Sequence, residues 1–210
     1  MTERFRDSLE AALRARPGRH IPVEDARDAA VLIPIVGGSD RPSLIFTVRS
    51  DTLPSHKGQI SFPGGSIDAS DESHAAAALR EAHEEIGLAP DRVTVLGELD
   101  SLPTYVSDYV VTPVVGWLSE RPRLTPNPAE VAEVLEIHID DFVEDIRSEP
   151  GVMAGGMTLP TEAWVWNDHV IWGVTARIVR VFLYRLAEAG LAEAPAETAS
   201  PWPEISPSPR

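Results

Sequence analysis

The sequence predicts an α+β, sandwich-like fold in preference to a doubly wound parallel sheet. Strand-like runs come in adjacent pairs, Ala29–Gly37 with Ser43–Arg49 and Ala163–Trp166 with His169–Trp172, each joined by turn residues. Helical periodicity is confined to three segments, near residues 2–16, 73–86 and 174–187. Between them, strands and helices follow no repeated strand–helix rhythm.

Residues 2–16 carry Phe5, Leu9, Ala12 and Leu13 at helical spacing, and Pro17-Gly18 stop the pattern. This segment reads as an amphipathic helix packed on the domain. Ala29–Gly37 reads as a buried strand, in which Pro34 implies an edge or a bulge because proline cannot donate to a ladder. The turn cluster Gly37–Pro42 leads to the second strand, Ser43–Arg49. Asp51–Ser61 is polar, holds Pro54 and Gly58, and reads as a loop. After Phe62-Pro63-Gly64-Gly65 a helix is expected over Ser73–Ile86. Asp71 or Ser73 can cap it, and Gly87 sits where a left-handed residue ends a helix. Val93–Leu99 and Val110–Trp117 are strand-like and flank a loop, Asp100–Asp108, that contains Pro103 and Tyr105. Residues 120–128 are rich in proline and polar groups. Val131–Ile139 is a strand candidate, followed by a short acidic helix near Asp140–Arg147 and a loose stretch, Gly151–Gly156. Asn167-Asp168 join the last hairpin, and Val174, Ile178, Val181 and Phe182 mark a closing helix. Residues 1–190 are expected to form a single domain. Residues 191–210, rich in Ala, Pro, Ser and Glu, are expected to be a disordered tail.

Composition narrows the function. The 210 residues include 33 acidic and 18 basic ones, a formal charge of −15. That balance argues against nucleic-acid binding, which needs a basic surface. No apolar run approaches the ~20 residues needed to span a bilayer. The N-terminal residues lack the apolar core of a signal peptide, so a soluble, cytoplasmic protein without a membrane partner is expected. The absence of cysteine excludes disulfides, thiolate metal ligands and a cysteine nucleophile. A polyanionic substrate would need bound cations or a local basic cluster. The single lysine, Lys57, lies just upstream of the glycine pair.

The chemistry concentrates in Phe62–Leu88. Glu81, Glu84 and Glu85 are spaced i, i+3, i+4 and project from one helix face, while Leu79, Ala82 and Ile86 form another. Arg80 lies four residues before Glu84 and can fix carboxylate positions. An E-x-x-E-E spacing alone reads first as a solvated acidic face. A Gly-Gly turn before a capped helix shifts that reading, because it lets the backbone approach a ligand or metal closely. Oxygen-rich clusters of this kind suit Mg²⁺ or Mn²⁺.

The segment resembles the Nudix box, G-x5-E-x7-R-E-U-x-E-E-x-G-U, where U is a bulky aliphatic residue. Glu72, Arg80, Glu81, Glu84, Glu85, Gly87 and Leu88 match in spacing, and Ala82 fills the first aliphatic position. Six residues, not five, separate Gly65 from Glu72. Upstream, Leu44–Gly65 resembles the signature of the coenzyme A pyrophosphatase branch of that superfamily. It matches at Thr47, Arg49, Ser50, Gly58, Phe62, Pro63, Gly64 and Gly65, and carries Pro54 where the branch has a second arginine. The resemblance spans about residues 29–187.

The resemblance implies a Nudix-type α/β/α sandwich with a mixed sheet and a loop–helix–loop box over residues 64–88. It implies a hydrolase of phosphoanhydride bonds that uses Mg²⁺ or Mn²⁺ and splits coenzyme A or a derivative into 3',5'-ADP and 4'-phosphopantetheine. Glu81 and Glu85 would be the main metal ligands, with Glu84 and the Gly64 carbonyl assisting. Arg80 would orient the carboxylates, and Glu72 would pair with Arg80 or steady the loop. The general base would be Glu85 or a glutamate of a later loop, Glu130 or Glu133. Arg49, His56 and Lys57 would bind substrate phosphates. His74 and His83 read as surface and structural residues, and Trp164, Trp166 and Trp172 as core. Pro103, some fifteen residues past the box, also resembles the proline of ADP-ribose hydrolases, which gives the alternative substrate, ADP-ribose or another nucleoside diphosphate derivative. A binding module that had lost catalysis is disfavoured by the intact Arg80, Glu81, Glu84 and Glu85. A homodimer remains open.

Overall fold

A computed structural model describes residues 2–38, 41–50, 58–104, 108–142, 146–152 and 158–195. Its centre is β1 (Arg27–Val36), a run of small and branched apolar residues buried from Ala29 onward except at the half-buried Val31. It pairs in parallel with β7 (Tyr109–Leu118) along its whole length, from Arg27 opposite Tyr109 to Val36 opposite Leu118. The other described strand pairs are antiparallel, so the sheet is mixed. β2 (Ser43–Arg49) and β8 (Val131–His138) extend it on one side, β5 (Thr94–Glu98) and the short β6 (Leu102–Pro103) on the other.

β1 and β2 touch only at one end, where Ile35 faces Leu44 and Val36 faces Ser43. Beyond that point a third segment, Ile60–Ser66, fills the fork between them. Its first part, β3 (Ile60–Ser61), pairs with Thr47 and Val48 of β2, and its last part, β4 (Gly64–Ser66), pairs with Ala29–Val31 of β1. Between the two, the Pro63 carbonyl accepts the Leu32 N–H at 2.8 Å.

The fork corrects the expectation for Pro34, which lies in the central strand and not at an edge. Leu32 points its N–H toward the fork. Pro34, two residues on, faces the same way. It falls between the end of β4 pairing at Val31 and the start of β2 pairing at Ile35, where no ladder donor is required.

Alternate residues of the sheet feed two cores. Ile33, Ile35, Phe46 and Val115 pack with Leu9 and Leu13 of α1 (Thr2–Ala15) and Ile178 and Phe182 of α3 (Gly173–Glu188). Ala30, Leu32, Ile45 and Val114 pack with Ala77, Ala78, Ala82 and Ile86 of α2 (His74–Ile86). The result is the expected α/β/α sandwich. Arg185 of α3, 3% exposed, donates to the carbonyls of Ala12 and Arg16 and so caps the C-terminal end of α1. No helix among the described residues is long and apolar enough to cross a membrane.

A second sheet of β9 (Ile146–Val152), β10 (Thr158–Trp166) and β11 (His169–Trp172) docks on the α1/α3 side. The helix expected near Asp140–Arg147 is not found among the described residues there: Ile139–Phe142 form a 3₁₀ turn, Ile146 and Arg147 begin β9, and residues 143–145 lie outside the described residues. Gly151 likewise belongs to β9, and residues 153–157 lie outside the described residues. Trp164 anchors this sheet, its Nε1–H donating to the Ala176 carbonyl at 3.2 Å. Its ring meets Phe142 edge-on at 5.7 Å, Phe142 meets Phe46, and Phe46 stacks on Phe62 at 4.4 Å. The core reading therefore holds for Trp164, while Trp172 is 42% exposed.

Thr112 is 2% exposed, and among the described residues its Oγ1 has no hydrogen-bond partner. Burying an unpaired hydroxyl is unfavourable, and valine has nearly the same shape. Thr112→Val is expected to leave the protein as stable or to stabilise it by up to about 1 kcal/mol, read as a higher urea midpoint at unchanged m-value.

Candidate active site

The helix that carries the acids is fixed at both ends. Ser73 caps it, its side chain accepting the Ala76 N–H at 3.1 Å. Gly87 ends it with φ 67°, its N–H donating to His83 O while Leu88 N–H reaches back to Ala82 O, a paired closure that favours glycine. Ala77, Ala78 and Ala82 present only methyl groups to the sheet and let α2 approach β1. That approach gives a reason for the small residue at position 82, where the box has a bulky aliphatic one.

The close approach leaves no room at the glycine pair. A Cβ on Gly65 would lie 2.6 Å from the Glu81 carboxyl group, and one on Gly64 would lie 2.4 Å from the Ala30 carbonyl oxygen. Gly64 also donates its N–H to Glu85 Oε2 at 3.3 Å. The turn and the acids therefore pack backbone to carboxylate.

Arg80 organises the acids. Its Nη1 donates to Glu81 Oε1 at 2.9 Å and to Glu84 Oε2 at 3.3 Å. Its Nε and Nη2 form a two-pronged pair with Asp71 at 3.1 and 3.0 Å, and Nη2 also donates to the Ser66 carbonyl at 3.1 Å. Asp71 is the residue that sequence reasoning missed. Glu72, expected to pair with Arg80, is exposed and makes no such pair. The extra loop residue explains the exchange. Counted forward from Gly65, the acid of the box falls on Asp71; counted back from Arg80, it falls on Glu72. The forward count was the available signal. The bond to Arg80 holds the Asp71 carboxyl below the usual carboxylate range.

Burial acts the other way on the inner acids. It raises the Glu81 carboxyl despite the Arg80 contact. Glu85, 6% exposed, is pushed up to about 7, chiefly by burial. Glu81 and Glu130 add repulsion, while the Gly64 N–H and Arg49 oppose the rise. Glu84 remains half exposed.

The loop before β8 brings in Glu130. Thr125 and Asn127 donate their N–H groups to the carbonyls of Ile86 and Glu85, both at 2.8 Å, and so dock the loop on the end of α2. The Asn127 Nδ2 donates to Glu130 Oε1 at 3.0 Å. Glu130 repels both Glu81 and Glu85, so it belongs to the cluster. Glu133 is exposed on β8 opposite Val48 and does not figure among the groups acting on either acid.

Arg49 ends β2. Its positive charge is felt at Glu85, and its Nε is buried without a hydrogen-bond partner among the described residues. His56, Lys57 and Pro54 lie outside the described residues. His74, read as a surface residue, is half-buried and faces Glu98 at 3.4 Å, and His83, read as structural, is exposed.

The donor set is all oxygen, and its acids repel one another when ionised, which is the situation a hard divalent cation relieves. Among the described residues no three acidic or imidazole side chains already form a closed metal cluster. Glu81 and Glu84 are instead engaged by Arg80. The chemistry fits a cation held by Glu81, Glu85 and neighbouring oxygens.

The sequence pattern of the NUDIX domain family matches residues 26–152. The chain is 37% identical over 186 residues to a protein of Pectobacterium atrosepticum named "Uncharacterized Nudix hydrolase NudL", covering 88% of this chain and 92% of that one. It is 41% identical over 177 residues to the protein of the same name in Citrobacter koseri, covering 83% and 90%. Among solved structures, a MutT/nudix family protein from Enterococcus faecalis aligns over 81% of this chain and 66% of that one, with a TM-score of 0.52 and 16% identity, a likeness of fold. The chain belongs to the Nudix family. The expected class, an enzyme that hydrolyses phosphoanhydride bonds in small nucleotide derivatives with a divalent cation, is met at that level.

Two outcomes follow from the geometry. Asp71→Asn should lower kcat by about tenfold or more, the usual effect of losing a group that orients metal ligands, while Glu72→Gln leaves it near the native value. Steady-state assays of the two variants side by side check this. The second concerns pH. A carboxyl whose folded pKa is raised gives full stability below its unfolded value and loses it as pH rises through the folded one. For Glu85 that window runs from about 4.5 to about 7. In chelator, Glu85→Gln should match the native protein near pH 4 and exceed its stability by up to about 3 kcal/mol at pH 8, measured by urea unfolding across that range.

Proposed function

We propose that the protein hydrolyses the diphosphate of coenzyme A or its derivatives, releasing 3',5'-ADP and 4'-phosphopantetheine. The observation that carries this reading is the course of Leu44–Gly65, the stretch resembling the coenzyme A pyrophosphatase branch. Its first part, β2, ends in Arg49, whose charge is felt at Glu85, and its last part fills the fork and carries the glycine pair. The branch-like residues therefore border the acid cluster.

Glu81 and Glu85, with Glu84 and the Gly64 carbonyl, would hold Mg²⁺ or Mn²⁺. Such an ion, when bound, neutralises the diphosphate and lowers the pKa of a water molecule. Arg80 keeps Glu81 and Glu84 in place for that role. Arg49 adds positive charge for the entering diphosphate, which a chain of charge −15 otherwise repels. Glu130 accepts the proton of the attacking water at its carboxylate, its position fixed by Asn127. Pro103 has a local structural role. It pairs with Val110, and its carbonyl accepts the Arg177 Nη1–H at 3.0 Å, which weakens the reading in favour of ADP-ribose.

A product assay on coenzyme A, acetyl-coenzyme A, ADP-ribose, NADH and dinucleoside polyphosphates tests this, each with Mg²⁺ or Mn²⁺. Coenzyme A or its thioester should release 3',5'-ADP. Glu81→Gln and Glu85→Gln should each lower kcat by about a hundredfold or more. Turnover of ADP-ribose without turnover of coenzyme A or its thioesters would overturn the substrate; native activity in both variants would overturn the site.

A further inference from the structure

We propose that Arg27, held in place by Tyr109 and Ser66, recognises the 3'-phosphate on the nucleotide half of the substrate; this rests on the coenzyme A reading above. Arg27 is the first residue of β1. Its N–H donates to the Asp108 carbonyl at 2.9 Å, and it stands opposite Tyr109 in the parallel ladder. Its guanidinium lies over the Tyr109 ring, with Cζ 4.3 Å from the ring centroid. The ring is itself fixed: its hydroxyl meets Ser66 Oγ at 3.2 Å, and Thr104 holds its main chain on both sides.

Arg27 is exposed and makes no ion pair among the described residues. Two acids adjoin it and neither engages it: Asp28 faces His20 at 3.5 Å, and Asp108 gives Arg27 only its main-chain carbonyl. In a chain with 33 acidic residues, an arginine fixed by its backbone and one ring face retains its N–H edge for an anion. That edge matches a phosphate monoester, which accepts two parallel hydrogen bonds.

Its connection to the glycine turn selects the phosphate. Ser66 follows Gly65, whose Cβ position abuts the Glu81 carboxyl group, and the Ser66 carbonyl is bonded to Arg80. The contacts Glu81–Gly65–Ser66–Tyr109–Arg27 connect the arginine to the acid face in one continuous chain. A 3'-phosphate is set apart from the diphosphate of the same nucleotide by the ribose, so it needs a cation on a neighbouring element and not one within the acid cluster. Arg49, whose charge is felt at Glu85 and which is assigned above to the diphosphate, lies on the other side of the turn. The two arginines bracket the glycine turn, Arg49 where β2 meets Gln59 and Arg27 on the Ser66 side.

The test compares native protein, Arg27→Gln and Arg27→Lys on coenzyme A and on 3'-dephospho-coenzyme A. It adds calorimetric binding of 3',5'-ADP and 5'-AMP and thermal unfolding. Arg27→Gln should raise KM for coenzyme A by about tenfold to a hundredfold at nearly unchanged kcat, leave the dephospho substrate unaffected, and abolish the preference for 3',5'-ADP over 5'-AMP. Arg27→Lys should recover part of that preference. Equal effects on both substrates, or a lowered Tm with discrimination intact, would overturn the assignment. So would native-like discrimination in Arg27→Gln, which leaves the coenzyme A reading standing. Conversely, no turnover of coenzyme A but an Arg27-dependent preference for 3',5'-ADP would reject that reading and support the phosphate site.

Discussion

The structure depends on the fork between β1 and β2. Two central strands that paired along their full length would leave no place for a third backbone, and the glycine pair could not reach the acid face of α2. Because pairing stops after Ile35 opposite Leu44, Ile60–Ser66 enters the sheet and completes the hydrogen bonds of both strands. Phe62 anchors that segment in the core through Phe46, while Gly64 and Gly65 accept the close approach of β1 on one side and Glu81 on the other. The alanines of α2 are the counterpart of the glycines, since larger residues there would hold the helix off the sheet.

Much of this was legible in the sequence because it is local. The cap at Ser73, the stop at Gly87 and the single acid face follow from spacing within one helix, and the structure repeats them. What was not legible depends on partners far apart in the chain. Pro34 signals an edge when only its missing N–H is considered, and its tolerance in the central strand comes from Ile60–Ser66. Asp140–Arg147 has helix-like composition, yet Ile146 and Arg147 pair with Trp164 and Ala163, so tertiary pairing overrides local preference. Asp71 was hidden by a one-residue insertion that separated two spacings which normally coincide. Arg27 and Tyr109 are 82 positions apart and meet only because β1 and β7 run parallel.

The acid cluster is held against its own electrostatics. Burial and mutual repulsion raise Glu85 and Glu81, while a few oriented donors, the Gly64 N–H and the Arg80 fork, prevent the face from opening. Such crowding of like charges is unfavourable, and a hard divalent cation would relieve it. The outer acid, Asp71, has the opposite environment and stays ionised, which keeps Arg80 anchored whatever the protonation of the inner pair.

The docking of the Asn127 loop has a geometric consequence. Glu85 offers its side chain to the acid cluster and its main-chain carbonyl to Asn127, whose own side chain holds Glu130. Three groups drawn from two separate elements thus share one reference point. If α2 shifts, the loop shifts with it, and the spacing between Glu85 and Glu130 varies less than either position does relative to the sheet. Alignment is built in as a short tolerance chain running through a single residue, so precision at the site does not require a rigid molecule.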